Sequence, residues 1–447
     1  MIFSPLAHSV FQAIEQADGK VYIVGGSVRD EVLNIKQGHD IDVEVYGLTY
    51  QQLCDVLSAF GEVNTFGQSF AIVQLSTLKG YDFALPRQEK KTGDKHQDFE
   101  IMIDPYLSLE KAILRRDLTM NALMYDYSAD KIVDLCGGQN DIFDKVIRCV
   151  DENTFVEDPL RVLRIAQFRA RFDMQVEEKT KALCQKMVEQ GMLEHLSMER
   201  VYHEYNKILM SPKPSLGFIF LKDIGALPSY LHALTMTMQR LDYHPEGDVF
   251  THTMMVIDEA TKVRNQADEP LSFMWSCLFH DLGKPLVTTS EGHAPKHNEA
   301  GVEVFKHIHI IASKKQRDYI STMIMYHMHL MNMSRHHSRD IKYLRLLKEI
   351  NQKVSMNDLI LLTRCDKLGR GRIVHEQLDD FDAFIQDKIQ RLGIKAKTPL
   401  VGGKDLIDYG YTQKTLFKEM LKEAYDLQLQ GLSKQQILRS LRKYEQG

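Results

Sequence analysis

Runs of aliphatic and β-branched residues recur through the first 150 positions: VYIVGG at 21–26, DIDVEVYG at 40–47, FAIVQL at 70–75 and KIVDLCGG at 131–138. Such short, β-rich runs predict strands. Between them lie stretches with a helical apolar period, such as Tyr50–Phe60. Strands and helices interleaved in this way predict an α/β or α+β domain. From about Asp151 to Tyr230 the pattern turns helical. Leu160, Leu163, Ile165 and Phe168 share one apolar face, and Pro159 suits a first turn, where its missing N–H costs little. From about Arg240 to Leu378 the helical pattern continues, but its polar positions fill with His. The Pro and Gly pair of TPLVGGKDL marks one more boundary, and Lys395–Gly447 forms a last segment. The expected organisation is an α+β head over 1–150, a helical region over 151–235, a second helical domain over 236–385 and a helical tail over 386–447.

Composition changes this picture little. The 447 residues are 44% hydrophobic and 26% charged, a globular balance that excludes global disorder. A net charge of −5 excludes a chain-wide electrostatic grip on nucleic acid but leaves room for a local one. The tail is the place for it. Lys395–Gly447 carries ten Lys/Arg against six Asp/Glu, and Lys414, Lys418 and Lys422 recur at four-residue steps, one cationic stripe if helical. No apolar run approaches the roughly 18 residues of a membrane span, and the first Lys is Lys20, unlike the basic start of a signal peptide. The expectation is a soluble, cytoplasmic protein without membrane contact. Cys54, Cys136, Cys149, Cys184, Cys277 and Cys365 are far apart and form no C-x-x-C, so reduced thiols are expected.

Candidate chemistry gathers in two places. Asp40 and Asp42 alternate along a predicted strand, which puts both carboxylates on one face about 7 Å apart. That arrangement suits Mg²⁺ held between a triphosphate and an attacking hydroxyl. Just upstream, GGSVRD follows a strand. Gly25 and Gly26 allow backbone N–H groups close to phosphate oxygens, while Ser27 and Arg29 offer a hydroxyl and a charged donor.

GGSVRD followed by HDIDVEVYG resembles the signature of the polymerase-β-like nucleotidyltransferases of class II, which comprise CCA-adding tRNA nucleotidyltransferases and bacterial poly(A) polymerases. RRDLTMNAL (115–123), EDPLRVLR (157–164), ERVYHEYNKIL (199–209) and LGFIFLKDIGAL (216–227) resemble later motifs of that family, in the same order. The resemblance implies catalytic metals on Asp40 and Asp42 and the triphosphate on Gly25, Gly26, Ser27 and Arg29. It places Arg116, Asp117 and Asn121 at the sugar and phosphates. Asp158 and Arg161, three apart on one helix face, would read the base as a protein template, with Arg164 also in the nucleotide site. Asp82, in DFALPR, stands where a third carboxylate would be. Leu118 departs from the family's usual Phe. The polar stretch Arg87–Pro105 reads as a loop, at the position where CCA-adding relatives carry one associated with the switch from C to A addition. CTP and ATP are the implied substrates, tRNA the partner and Mg²⁺ the cofactor. A poly(A) polymerase, or an enzyme adding only CC or only A, fits the same motifs.

The second place is His252 in DVFTHTMMV, His280 and Asp281 in LFHDLGKP, and Asp366 in LTRCDKLGR. These are mixed N/O ligands suited to Mn, Ni, Fe, Zn or Mg. The order H…HD…D resembles the HD phosphohydrolase superfamily, and HPEGDVFTHTM with LFHDLGKP resembles the HD domain appended to CCA-adding enzymes of some bacteria. The resemblance implies a divalent metal (Ni²⁺, Mn²⁺ or Mg²⁺) and phosphatase or 2′,3′-cyclic phosphodiesterase-type activity. His297 and His327 are candidates for a second metal or the phosphate, and Lys284 for the scissile phosphate. An alternative makes this site the main function and the head a degenerate nucleic-acid-binding module.

Overall fold

The computed structural model describes residues 1–35, 40–66, 72–91, 99–242, 244–370 and 375–445. It divides into two compact units, Met1–Leu227 and Pro228–Gly447.

The first unit opens with the helix Pro5–Gln16, capped by the Ser4 hydroxyl with Pro5 in its first turn. Its strands are β1 (Lys20–Val24), β2 (Ile41–Tyr46), β3 (Val63–Phe66), β4 (Ile72–Leu75), β5 (Tyr81–Ala84), β6 (Arg87–Lys91), β7 (Phe99–Ile103), β8 (Met124–Asp126) and β9 (Lys131–Val133). Among the described residues, seven of them make one sheet in the order β3-β4-β5-β2-β1-β8-β9. Only β2 and β5 run parallel in it. Val21–Val24 of β1 are all buried, as a central strand covered on both faces requires. In β2 every residue is buried except Asp42, and that includes the carboxylate of Glu44. A capping box between Thr49 and Gln52 starts the helix Tyr50–Ser58.

The expected strands correspond to β1, β2, β4 and β9, with Phe70 and Ala71 outside the described residues. Strands β3, β5 and β8 have three or four residues each, too short for alternation to announce them. The expected loop Arg87–Pro105 is largely a hairpin: β6 pairs antiparallel with β7 from Arg87↔Ile103 to Lys91↔Phe99. The alternation Phe99, Ile101, Ile103 carries that signal, hidden by the charged partner strand. Residues 92–98 of the stretch lie outside the described residues.

The rest of this unit is helical, with Leu160–Phe172 at its centre, apart from a short parallel pair between Val146–Ile147 and Gln175–Val176. That helix buries Val162, Leu163, Ile165, Ala166 and Phe168, and Asp173 ends it in the left-handed region at φ 54°.

Among the described residues, the regular elements of the second unit are all helices. Its core holds Phe250, Phe273, Trp275, Phe279, Phe305 and Tyr343. The helices Gly403–Asp408, Phe417–Leu429 and Lys434–Ser440 share a cluster of their own around Leu406, Met420, Ile437 and Leu441. Lys414 sits in a 3₁₀ turn, Lys414–Leu416, not in the helix expected to carry all three lysines. Lys418 and Lys422 are one turn apart on the exposed face of Phe417–Leu429. All six cysteines are free, with Cys54 and Cys136 only half-buried. Among the described residues, no helix is long and apolar enough to cross a membrane.

Candidate functional site

The turn after β1 places Gly25 at φ 75°, a region that favours glycine. A Cβ added there would lie 3.4 Å from Asp42 Oδ2 and 3.6 Å from Arg116 Nη1. The main chain, one carboxylate and one guanidinium therefore converge on one spot. Asp42 is register partner to Val24 on β1 and to Asp82 on β5, so sheet pairing brings Asp82 to its side. Gln74 Nε2 donates to Asp82 Oδ1 at 2.6 Å. Asp40 is exposed and lies one residue before β2, so it approaches from the loop and not from the strand expected for it. Desolvation raises the Asp42 pKa, Arg116 opposes this, and Asp82, Glu44 and Asp40 raise it further. Three carboxylates gathered at one spot are a donor set that fits a divalent cation, whose charge offsets their mutual repulsion.

Behind Asp42 stands Glu44, which the motif reading passed over. Its buried carboxylate accepts from Arg115, from Arg116 Nη2 at 2.7 Å and from the Tyr46 hydroxyl at 3.0 Å. Burial alone would raise its pKa, but Arg116 and Arg115 hold it below the ordinary value. Glu44 thereby aims Arg116 at the Gly25 turn.

The Ser27 and Arg29 side chains are buried and engaged within the protein. The Ser27 hydroxyl donates to the Val24 carbonyl at 3.3 Å. Arg29 is 4% exposed, gives Nε and Nη2 to Asp30 and Nη1 to Asn121 Oδ1 at 2.7 Å, and lies 4.9 Å from the centre of the Phe172 ring. Asn121 donates to Asp117 Oδ1 at 3.0 Å, and Asp117 Oδ2 takes Arg164 Nε at 2.6 Å. Arg171 closes the other end on Asp30 at 3.1 Å. A continuous string, Arg171–Asp30–Arg29–Asn121–Asp117–Arg164, thus ties the GGSVRD turn and the RRDLTMNAL segment to the Leu160–Phe172 helix. Burial works against the Asp117 charge, yet Arg164 and Asn121 keep its pKa below normal.

Asp158 and Arg161 are not a pair on one helix face. Asp158 precedes the helix, accepts from Leu160 N at 3.1 Å and meets Arg200 Nη2 at 3.2 Å. Arg161 donates Nη1 to the Thr154 carbonyl at 2.7 Å and Nη2 to the Arg115 carbonyl at 2.6 Å. The reason is local: the helix begins at Leu160 with Pro159 as its N-cap, which leaves Asp158 outside it while Arg161 turns back to two main-chain carbonyls. Desolvation raises the Asp158 pKa, with the Leu160 N–H and Arg161 opposing. Arg200, in ERVYHEYNKIL, is the partner the spacing did not reveal.

The second unit brings the other predicted residues together. Asp248 caps the helix Val249–Val263, whose buried face carries His252. His280 and Asp281 follow directly on Pro270–Phe279, and Asp366 lies in Met356–Leu368. His252 Nε2 is 3.1 Å from Asp366 Oδ1 and 3.8 Å from Asp281 Oδ2. His280 Nε2 and Asp281 Oδ2 are 3.1 Å apart but out of line for a hydrogen bond. Both atoms are buried without a hydrogen-bond partner, and one ligand atom each of His252, His280 and Asp281 lies within 4.8 Å of the others, so this donor set fits a divalent metal. The other carboxylate oxygen, Asp281 Oδ1, faces His297 Nε2 at 3.5 Å and His327 Nε2 at 3.8 Å. One aspartate therefore joins two potential ligand groups. A Cβ on Gly283 would stand 2.0 Å from the His297 carbonyl oxygen, so only glycine lets the two segments approach this closely.

Charge follows this geometry. Burial disfavours the charge of Asp281, but His280, Lys284 and His297 hold its pKa far below normal; Arg370 and His252 do the same for Asp366. Burial, His297 and His280 push His327 down to about 3, leaving a neutral imidazole able to coordinate. Lys284 is buried, lies 2.7 Å from Asp281 Oδ2 and donates to Gln239 Oε1 at 2.6 Å. It still lines a cavity of about 200 Å³ over the site, together with Arg240, Arg335 and Arg370. A cationic wall over acidic ligands suits a phosphate ester.

Comparison with known proteins matches three stretches of the chain. A family described as "Poly A polymerase head domain" matches residues 21–148, "Probable RNA and SrmB-binding site of polymerase A" matches 173–235, and "HD domain" matches 249–370. The chain is 34% identical over 398 residues to the multifunctional CCA protein of Laribacter hongkongensis, covering 86% of this chain and 92% of that protein. It is 31% identical over 414 residues to the one of Actinobacillus pleuropneumoniae serotype 5b, covering 90% and 97%. Among solved structures, the Bacillus stearothermophilus CCA-adding enzyme in complex with CTP superposes at TM-score 0.68 with 20% identity, over 99% of this chain and 100% of that one. The Thermotoga maritima CCA-adding enzyme complexed with tRNA superposes at 0.60 with 20% identity, over 98% and 95%, and these two establish likeness of fold.

Proposed function

The chain belongs to the family of multifunctional CCA proteins, and from that premise we propose that it completes the 3′ end of tRNA from CTP and ATP and carries a metal-dependent phosphohydrolase in its HD domain. The observation that carries the first activity is the convergence of Gly25, Asp42 and Arg116, with Asp82 beside Asp42. We read the chain as a nucleotidyltransferase head over 1–150, a helical nucleotide-selecting and RNA-binding region over 151–235, an HD domain over 236–385 and a tail over 386–447. The place of work is the cytoplasm, where the proposed substrates meet.

In the head, Asp40, Asp42 and Asp82 would hold Mg²⁺, which when bound neutralises triphosphate charge and lowers the pKa of the attacking 3′-hydroxyl. The Gly25–Gly26 turn offers main-chain N–H groups to the triphosphate, and Arg116, aimed by Glu44, adds a charged donor. Asp117 and Asn121 hold the sugar side of the site. Asp158 offers an acceptor and Arg161 and Arg200 offer donors at the base edge, so base choice rests on protein groups. Arg164 is the link from these to Asp117.

In the HD domain, His252, His280, Asp281 and Asp366 would hold a divalent metal (Ni²⁺, Mn²⁺ or Mg²⁺), which supplies hydroxide at neutral pH when bound. His297 and His327 face the other oxygen of Asp281, where they would hold a second cation or the phosphate. Lys284, Arg335 and Arg370 line the cavity that would take the phosphoester.

The experiment offers purified protein a tRNA that ends before CCA, and separately a generic oligo-A primer, with each nucleotide alone and mixed. Ordered addition of C, C and A to the tRNA is expected. Processive A addition to the primer would instead favour a poly(A) polymerase, the activity named in the head-family description.

A further inference from the structure

His252 turns Nε2 toward Asp366 and Asp281, so its Nδ1 faces out of the ligand cluster. That nitrogen lies 2.9 Å from Oε1 of Glu246, and 3.3 Å from the carbonyl oxygen of Gly369. Both neighbours are acceptors, so a proton on Nδ1 is satisfied there, and in that tautomer Nε2 keeps its lone pair for a metal held with Asp366 and Asp281. The carboxylate is the nearer and the charged one, and so the stronger. The same Oε1 lies 2.8 Å from Nδ1 of His244, whose ring meets that of His252 edge-on at 5.3 Å. The Glu246 side chain is 3% exposed. A carboxylate buried this far is costly unless it is paired, and two imidazole N–H groups on one oxygen are its pairing.

The turn that carries Glu246 is itself fixed. His244 N donates to the Arg240 carbonyl at 2.8 Å, Gly247 N to the His244 carbonyl at 3.0 Å, and Gln239 N to the Gly247 carbonyl at 2.9 Å. Asp248, two residues on, caps the helix that bears His252. Glu246 and His252 are thus joined by one hydrogen-bonded junction.

We propose that Glu246 is a positioning residue of the HD centre: it locks His252 in the Nδ1-protonated tautomer and fixes the ring so that Nε2 faces the metal. This rests on the reading of that centre as a metal site and adds a residue outside the H…HD…D pattern. Ligating histidines that lose such a carboxylate bind metal about 10–100-fold more weakly.

The test is Mn²⁺ binding to the full chain by calorimetric titration, counting as the HD centre's the binding that Asp42→Ala leaves in place, with metal per chain counted by mass spectrometry. Glu246→Ala is expected to weaken Mn²⁺ binding about 10–100-fold. Glu246→Gln, which keeps an acceptor of the same shape, should recover part of that loss, while nucleotide addition by the head stays unchanged in both. If Glu246→Ala does not fold, Glu246→Gln decides, and wild-type Mn²⁺ affinity in it overturns the proposal. Equal affinity in folded Glu246→Ala and wild type overturns it as well. A wild-type chain that binds Mn²⁺ but cleaves no phosphoester would sink the hydrolase reading and leave Glu246 in its role. A wild-type chain that binds no Mn²⁺ at all would sink both.

Discussion

Asp42 and Asp82 stand side by side across the parallel β2–β5 pair, two carboxylates from distant segments made neighbours by strand register. Parallel neighbours are about 4.8 Å apart, close enough to share a cation. Asp42→Ala should therefore abolish nucleotide addition, and Asp82→Asn should lower it on the order of tenfold, about 1.4 kcal/mol of lost stabilisation. Phosphoester hydrolysis should persist in both, because its ligands lie in the second unit. Near wild-type tRNA extension by Asp42→Ala would remove the metal assignment in the head.

Arg161 and Arg200 should fail differently. Arg161 spans the carbonyls of Thr154 and Arg115, so Arg161→Ala is expected to relax discrimination against UTP and GTP and also to slow turnover of the correct nucleotide. Arg200 touches Asp158, so Arg200→Ala should relax selection with little effect on kcat for ATP alone. Each lost hydrogen-bond partner is worth roughly 1–3 kcal/mol. A mixed-nucleotide assay beside single-nucleotide turnover separates the two; identical behaviour of both variants would reject the division.

Acid should weaken the first unit through Glu44 and Asp117. Their folded pKa values lie below ordinary, so the stability they add is fully present above the unfolded values, about 4.3 and 3.9. It is lost as pH falls through the lower folded values. Urea midpoints of the first transition from pH 7 to pH 3 should fall less steeply in Glu44→Gln than in wild type. Parallel pH profiles would show that Glu44 is not a source of the acid sensitivity.

The tail presents a shorter cationic face than three lysines on one helix would. Lys418 and Lys422 share an exposed helix face while Lys414 precedes it in a 3₁₀ turn. Replacing all three with Ala should weaken tRNA binding and flatten its log–log salt slope by up to about three units. The kcat at saturating tRNA should hold. An unchanged slope would move the RNA grip to the helices after Asp151.

Much of both sites was legible in sequence because chemistry-bearing residues sat in local patterns: GGSVRD before β2, the His280–Asp281 step, and the apolar face of Leu160–Phe172. What stayed hidden depends on contacts far apart in the chain. Glu44 looks like one more polar position of an alternating strand, and only packing shows it buried between two arginines. Arg29 reads as a phosphate donor, but the fold surrounds it with Asp30, Asn121 and Phe172. The Arg87–Lys91 strand is too charged to declare itself until Phe99–Ile103 pairs with it. Asp158 and Arg161 obey helical spacing, yet Pro159 shifts the helix start past one of them.

The string from Arg171 through Asp30, Arg29, Asn121 and Asp117 to Arg164 has a consequence for inheritance. Each member satisfies the next, and the four inner ones, Asp30, Arg29, Asn121 and Asp117, are buried, so replacing one of them alone strands a buried charge or amide. Single substitutions along it should be purged, and tolerated change should arrive as compensated pairs. Lineages of this chain should therefore vary at these positions together or not at all, so that the Gly25–Gly26 turn and the Leu160–Phe172 helix descend as one module.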